Sequence, residues 1–365
     1  MKRFFAILCI GILILSGCAP VEPAPAPVYD TAPDRVETGI TVGGVPLENL
    51  YKGAETYYIE AESLLSVLGG TAQADLGIES HTLTVTAENW SRTYISGGET
   101  ANALYDGTKW YLPYEELLTE LGYHLFEDTA QNHRYYTVYP KADGLYGGAE
   151  VPILMYHAVS DDLWGISGLF VSPSEMEKQL KYIVDNGYTP IFFEDLANIE
   201  TIEKPVILTF DDGYDDNYTN LFPLLKRYNV KATVFMITGS IGAEHYLTAE
   251  QISEMQASGL VSFQSHTASH PDLGSCTAEE LDAEMLQSKS TLAQITGKEP
   301  FVLCYPMGKW SDLSLEKTAE YYEYGIFMSG KTYVTGQTDR VKIYRKYVSR
   351  TTSLDSFAGM LRVNK

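Results

Sequence analysis

The sequence predicts an α/β fold, a closed barrel preceded by a small α+β domain, and three observations predict it. From Val151 onward, apolar stretches alternate with stretches whose apolar residues recur at helical spacing, which argues a parallel sheet covered by helices. Residues 40–140 carry an internal repeat of mixed strand and helix character. The chain has 365 residues, 45% of them hydrophobic, enough for two domains that each bury a core.

The first elements concern export. In residues 1–17, Lys2 and Arg3 precede an apolar run that ends at Leu15-Ser16-Gly17-Cys18, too short for a spanning helix and suited to a signal peptide. The small residues before Cys18 resemble a bacterial lipobox. The resemblance implies cleavage before Cys18, acylation of that cysteine, and lipid anchoring at the outer face of the cytoplasmic membrane; a plain secretory signal is the alternative. Residues 18–39 alternate Pro with Ala and small or acidic residues, the composition of a semi-rigid stalk. Twenty residues at ~3.1 Å each would lift the folded domains roughly 60 Å from the membrane.

The formal charge is −22, and signal cleavage removes two cations more. Such a surface repels nucleic acid and anionic head groups, so no nucleic-acid partner is expected and the lipid anchor is the one expected membrane contact. A neutral or cationic partner suits it. Cys9 leaves with the signal and Cys18 carries lipid; Cys276 and Cys304 then either pair outside the cytoplasm or remain buried free thiols.

Within residues 40–140, "YYIEAESLLSVLGG" (57–70) matches "WYLPYEELLTELGY" (110–123), pairing Leu64 with Leu117, Leu65 with Leu118, Leu68 with Leu121 and Gly69 with Gly122. Each copy reads as a short strand, a helix stopped by Gly, then a β-rich stretch such as "HTLTVT" or "RYYTVY". This region resembles the copper-amine-oxidase N-terminal-like domain of secreted bacterial proteins, a module that usually carries no metal chemistry. His81, His124 and His133 show no ligand spacing and read as solvent-facing or structural. Trp90, Trp110, Tyr111 and Tyr114 read as core, with stacking on sugars as the alternative. The partner of this region is not legible in the sequence.

The Gly-rich "PKADGLYGGAE" (140–150) marks a boundary, and residues 150–365 form the second domain. The strands "VPILMY", "PVILTF", "KATVFMI", "LVSFQSH" and "FVLCYP" alternate with the helices "SEMEKQLKYIVDNGY", "NLFPLLKRYN", "TAEQISEMQASG", "TAEELDAEMLQSKSTLAQITG" and "LEKTAEYYEYG". In barrels of this kind, chemistry sits where strands end and loops begin.

Three such ends carry it. Asp211 and Asp212 follow "VILTF" directly, with Gly213 allowing the chain to bend; a cation would relieve their repulsion by taking one and leaving the other as a base. Taken alone, Asp-Asp-Gly reads equally as an acidic turn, and Asp215 and Asp216 are assigned to such a turn or helix start. His266 and His270 follow another apolar strand at the spacing that sets two imidazoles on one face of a helical turn. Two histidines and one carboxylate leave a coordination position open, as catalytic zinc requires. In "FVLCYPMGKW", Pro306 fixes the backbone and Gly308 permits close approach, so the Met307 amide can point into the site as an oxyanion donor.

In this order the motifs Thr-Phe-Asp-Asp-Gly, Ser-His-Thr-x-x-His-Pro and Tyr-Pro-x-Gly resemble those of the polysaccharide deacetylases of carbohydrate esterase family 4, over roughly residues 151–360. The resemblance implies a distorted (β/α) barrel that hydrolyses acetyl groups on N-acetylated polysaccharides. It implies Asp211 as general base, Asp212, His266 and His270 as ligands of Zn²⁺ or another divalent transition metal, and Met307 as the oxyanion-binding amide. Two positions depart from the pattern. Cys304 stands where the family usually has an arginine that orients the base; a branch of the family supplies one from a later strand, which points to Arg345, with Arg350 as the second choice. No histidine follows His270 to act as general acid. The poly-N-acetylglucosamine deacetylases resemble the family in permuted order, with that histidine on a Tyr-His strand ahead of Asp-Asp, and Tyr156-His157 fits this place; a core histidine at a strand end is the competing reading. The expected activity is removal of acetyl groups from N-acetylglucosamine units of an extracellular or cell-wall polysaccharide. The alternatives are a lipid-anchored wall-binding protein with an inactive barrel, and an O-acetyl esterase.

Overall fold

Seven parallel strands close into a barrel in the order of the chain. They are β1 (Ile153–Tyr156), β2 (Pro205–Phe210), β3 (Ala232–Met236), β4 (Val261–Ser265), β5 (Val302–Cys304), β6 (Tyr324–Met328) and β7 (Ile343–Tyr347). Closure falls on β1, which pairs Ile153 with Ile207 on one side and Leu154 with Lys346 on the other. The computed structural model describes residues 29–363 apart from 37, 49, 54–55, 78–79, 88–89 and 98–100. The expected export signal, Cys18 and residues 19–28 of the expected stalk therefore lie outside the described residues. Among the described residues, no helix is long and apolar enough to cross a membrane.

The two-residue period of a strand sorts side chains between two apolar layers. Leu154, Tyr156, Leu208, Phe210, Val234 and Met236 point outward and are buried under the helices α1 (Pro173–Asp185), α2 (Phe222–Tyr228) and α3 (Ala249–Ala257). Ile153, Ile207, Phe235, Ile326 and Ile343 fill the interior. Burying each such side chain contributes about 1.5–3 kcal/mol. The same period carries inward beyond the apolar residues. Met155 and His157 follow Ile153, Thr209 and Asp211 follow Ile207, and Arg345 follows Ile343.

Local sequence sets the helix starts. Ser172 caps α1 with Pro173 in its first turn, while Thr248 with Gln251 and Thr277 with Glu280 form capping boxes on α3 and on α4 (Ala278–Thr296). Pro223 at the start of α2 brings no N–H, and the five residues ahead of it, Asn217–Leu221, wind as a π-turn.

The chain divides into two compact units, one made of the residues up to Ala32 with Gly70–Leu112, the other of Pro33–Gly69 with Pro113–Lys365. The first unit holds an antiparallel meander, Thr71–Leu76, His81–Ala87 and Trp90–Ser96, and a short pairing of Leu104–Tyr105 with Trp110–Tyr111. His81 is buried there, stacked on Tyr29 and edge-on to Tyr105, and Trp110 and Tyr111 are core. In the second unit, His133–Val138 pairs with both Gly39–Val42 and Tyr123–Asp128. The two repeat helices, Ala61–Leu68 and Tyr114–Glu120, end at Gly69 and just before Gly122, both in the left-handed region. Residues 40–140 are thus shared between the two units. In the second, Asp128 accepts hydrogen bonds from Ser290 and Gln294 on α4, and Tyr139 stacks on Phe301 at 4.6 Å.

Within the stretch expected as stalk, described residues join the folded part. Asp30 accepts hydrogen bonds from Ser96 Oγ and the Tyr105 amide, and Asp34–Arg35 pairs antiparallel with Tyr51–Lys52. The prolines thin out after Pro33, which leaves backbone N–H groups free to join a ladder.

Candidate functional site

A cavity of about 530 Å³ opens at the C-terminal ends of the strands. It is lined among others by His157, Asp211, Asp212, His266, His270 and Arg345. Asp211 continues β2, its amide donating to the Tyr156 carbonyl at 2.9 Å. Asp212 then turns left-handed with φ 72°, so the two neighbouring carboxylates diverge. Gly213 is required next to it: at φ 79°, a Cβ there would stand 2.0 Å from Met236 Sδ.

Asp212 Oδ1 lies 3.5 Å from His266 Nε2 and 3.7 Å from His270 Nε2. Three ligands about 2.1 Å from one tetrahedral ion stand roughly 3.4 Å apart, so the spacing fits a small divalent cation. His266 Nδ1 is 2.8 Å from the Cys304 carbonyl, an oxygen that can only accept, so Nδ1 carries the proton of that contact and Nε2 is the atom turned toward the other two ligands. Tyr214, unremarkable in the sequence, lies beside Asp212; burial and that carboxylate push its phenol far up, so its hydroxyl keeps its proton. Burial alone would raise Asp212, and its histidine and tyrosine partners overcome this and hold it well below the carboxylate range.

His266 and His270 do not share a helical turn. The segment after β4 is a bent loop in which Thr267 (φ 67°) and His270 (φ 62°) are both left-handed, and this brings the rings to 4.8 Å. The loop is held by Thr267 Oγ1, which accepts from the His270 amide, and by Glu284 of α4, whose carboxylate accepts from the Ala268 and Ser269 amides at 2.9 and 2.7 Å. Nothing in the sequence marks Glu284, a glutamate among several on its helix.

Asp211 is paired with Arg345. The guanidinium Nη1 and Nη2 donate to Oδ1 and Oδ2 at 2.6 and 2.7 Å, both side chains are buried, and Nη1 also donates to Thr209 Oγ1. Burial raises the Asp211 carboxyl, and the guanidinium outweighs it, so the group stays ionised below the ordinary carboxylate range. Each carboxylate oxygen retains a second acceptor site beyond the fork. Asp211, His266 and Cys304 also cluster, but Arg345 already places a cation there, 3.0 Å from Cys304 Sγ, and leaves no room for a second. Cys276 and Cys304 are both free thiols, so the disulfide alternative is not formed.

His157 Nε2 is 3.9 Å from Asp211 Oδ2. Burial lowers its pKa and the two aspartates work against that. Met307 lines the same cavity within a tight turn at φ 56°, between Pro306 and Gly308. Arg350 makes no contact with Asp211; its amide bonds the Gly168 carbonyl.

Asp216 stands at a helix start, as its sequence context suggests, and is buried there. It is 4% exposed, and Oδ1 accepts from the Val159 amide and from Asn217 Nδ2, both at 2.9 Å. Burial raises its pKa from 3.8 to about 6. Between these values the unfolded chain has released a proton that the fold retains, so the contribution of this group to stability falls as pH rises from about 4 to 6. Denaturation midpoints across that range should give Asp216→Asn a more positive slope against pH than the parent; equal slopes would refute it.

A family model described as polysaccharide deacetylase matches residues 198–324. Among curated relatives, the chain is 38% identical over 186 residues to YxkH of Bacillus subtilis, described as a candidate polysaccharide deacetylase, covering 49% of this chain and 64% of that one. It is 26% identical over 193 residues to the poly-β-1,6-N-acetyl-D-glucosamine N-deacetylase of Staphylococcus aureus, covering 48% and 66%. The chain therefore spans just under two thirds of these relatives. Among solved structures, BC0361, a polysaccharide deacetylase from Bacillus cereus, superposes with a TM-score of 0.57 at 26% identity, covering 80% of this chain and 99% of that one.

Proposed function

From the polysaccharide deacetylase domain that this chain carries, we propose a metal-dependent hydrolase that removes acetyl groups from N-acetylglucosamine units of an extracellular or cell-wall polysaccharide. The observation that carries this reading is one cavity lined by three candidate cation ligands, an ionised, arginine-oriented carboxylate and a half-buried histidine. Asp212, His266 and His270 would hold the ion, with Zn²⁺ favoured by two imidazoles and one carboxylate. When bound, a divalent cation supplies Lewis-acid polarisation of the acetyl carbonyl and a more acidic water.

The residues of the chain do the rest. Asp211 accepts the proton of the attacking water, whose oxygen bonds to the acetyl carbon. The Met307 amide donates to the oxyanion as it develops. The carbon–nitrogen bond breaks, His157 gives a proton to the departing amine, and acetate and a free glucosamine unit leave. Arg345 holds Asp211 in one rotamer throughout.

The inactive-barrel alternative drew on the missing motif arginine, and the Arg345 fork on Asp211 speaks against it. Export and lipid anchoring through Cys18 complete the proposal and rest on the sequence motif. The expected result is acetate release from N-acetylglucosamine oligomers that falls to a few per cent with chelator and returns with Zn²⁺ or Co²⁺. Release that ignores the chelator would sink the metal-dependent reading.

A further inference from the structure

Asp216 and Asn217 serve no step of the proposed chemistry, yet both are buried and directed at the strand that carries His157. Asn217 Nδ2 donates to the His157 carbonyl at 3.0 Å and to Asp216 Oδ1 at 2.9 Å, while Asp216 Oδ1 takes the Val159 amide. Asn220, one turn on, donates to the Val159 carbonyl at 2.8 Å. Three polar side chains on one π-turn thus hold the backbone of residues 157–159 from both sides. On the near side of His157, the Asp211 amide bonds the Tyr156 carbonyl at 2.9 Å. Buried polar groups are costly to hold unless they are paired, and here the pairing is with one short backbone segment.

We propose that Asp216 and Asn217 are positioning residues that set the place of His157 relative to Asp211, so that the stretch 211–217 carries the base and gauges the distance to the acid. Residues 157–159 leave β1 at its end, and His157 sits between β1 and the two-residue strand Ala158–Val159, where the barrel ladder no longer fixes it. The Asp216 and Asn217 contacts hold it there, beside a short parallel pairing of Ala158–Val159 with Phe170–Val171. Displacing a catalytic group by about 1 Å costs on the order of 100-fold in rate. This inference rests on the deacetylase reading, and on His157 as the acid within it.

The test compares two leaving groups on the full exported chain with zinc. An N-acetylglucosamine oligomer needs a proton on its departing amine; 4-nitrophenyl acetate, an activated aryl ester, does not. Asp216→Ala and, separately, Asn217→Ala are expected to lower kcat on the oligomer about 10- to 100-fold with KM nearly unchanged. On the aryl ester the same variants should stay within about twofold of the parent, and Asp216→Asn, which keeps the acceptor oxygen, should restore most of the oligomer activity. In a His157→Ala background the Asp216→Ala loss should disappear. Equal losses on both substrates, or an undiminished loss without His157, would overturn the clamp while leaving the deacetylase reading intact. A parent protein that hydrolyses the ester and no N-acetyl substrate would overturn that reading and the clamp with it.

Discussion

Asp211→Asn is expected to lower acetate release by about 10²–10⁴-fold while the protein still binds one divalent ion, because general-base transfer is lost and the ligand set is not. Asp212, His266 and His270 would hold the cation, and Asp211, gripped by Arg345, lines the same cavity without belonging to that set. An asparagine is nearly isosteric and its oxygen still accepts one Arg345 N–H, so the variant should fold. Metal analysis beside kcat measures both halves of the expectation. Full activity would remove Asp211 from the mechanism; loss of metal would mean that it helps ligate.

Replacing Arg345 should have the largest effect on stability. Arg345→Met removes a guanidinium that is 2% exposed and leaves Asp211, 3% exposed, as a buried charge without its partner. Breaking such a pair costs about 3–5 kcal/mol, and a lone buried carboxyl answers by taking up a proton. Denaturant unfolding should report the first effect. The second should appear as an acid limb of the rate profile displaced to higher pH, since Asp211 must be ionised to act. Arg345→Lys should not rescue either one, because a point-like ammonium cannot reproduce the two-pronged contact with Oδ1 and Oδ2. An Arg345→Met protein as stable as the parent, with an unmoved acid limb, would show that the pair matters for neither.

Much of the barrel was legible because its strands are apolar on both faces and its helices carry caps. The interior position of His157 follows from parity with Ile153 and Met155, and that of Asp211 from Ile207 and Thr209. Arg345 is reached by the same rule from Ile343, although the resemblance alone singled it out among later cations. Other features lay beyond sequence reasoning for physical reasons. The spacing of His266 and His270 suggested a helical turn, and two left-handed residues that are not glycine, invisible in composition, made a bent loop instead. Glu284 acts across a gap of sixteen residues in sequence on backbone amides, which have no identity to read. The helix start at Asp216 was legible, but not its burial, because tertiary packing and not composition sets it.

The position of β1 between β2 and β7 has a consequence for how the site comes to be assembled. Arg345 and Asp211 meet across 134 residues, and His157 comes from the opposite end of the domain. Contacts this distant in sequence form late, after the local ones. A chain emerging N-terminus first carries all three proposed ion ligands once His270 is out, but Glu284 and Cys304, which hold them, and Arg345, which grips Asp211, come later. On the proposed reading, partial products of translation, or copies clipped before Ile343, would carry an unfinished site, and activity would report completion of the fold.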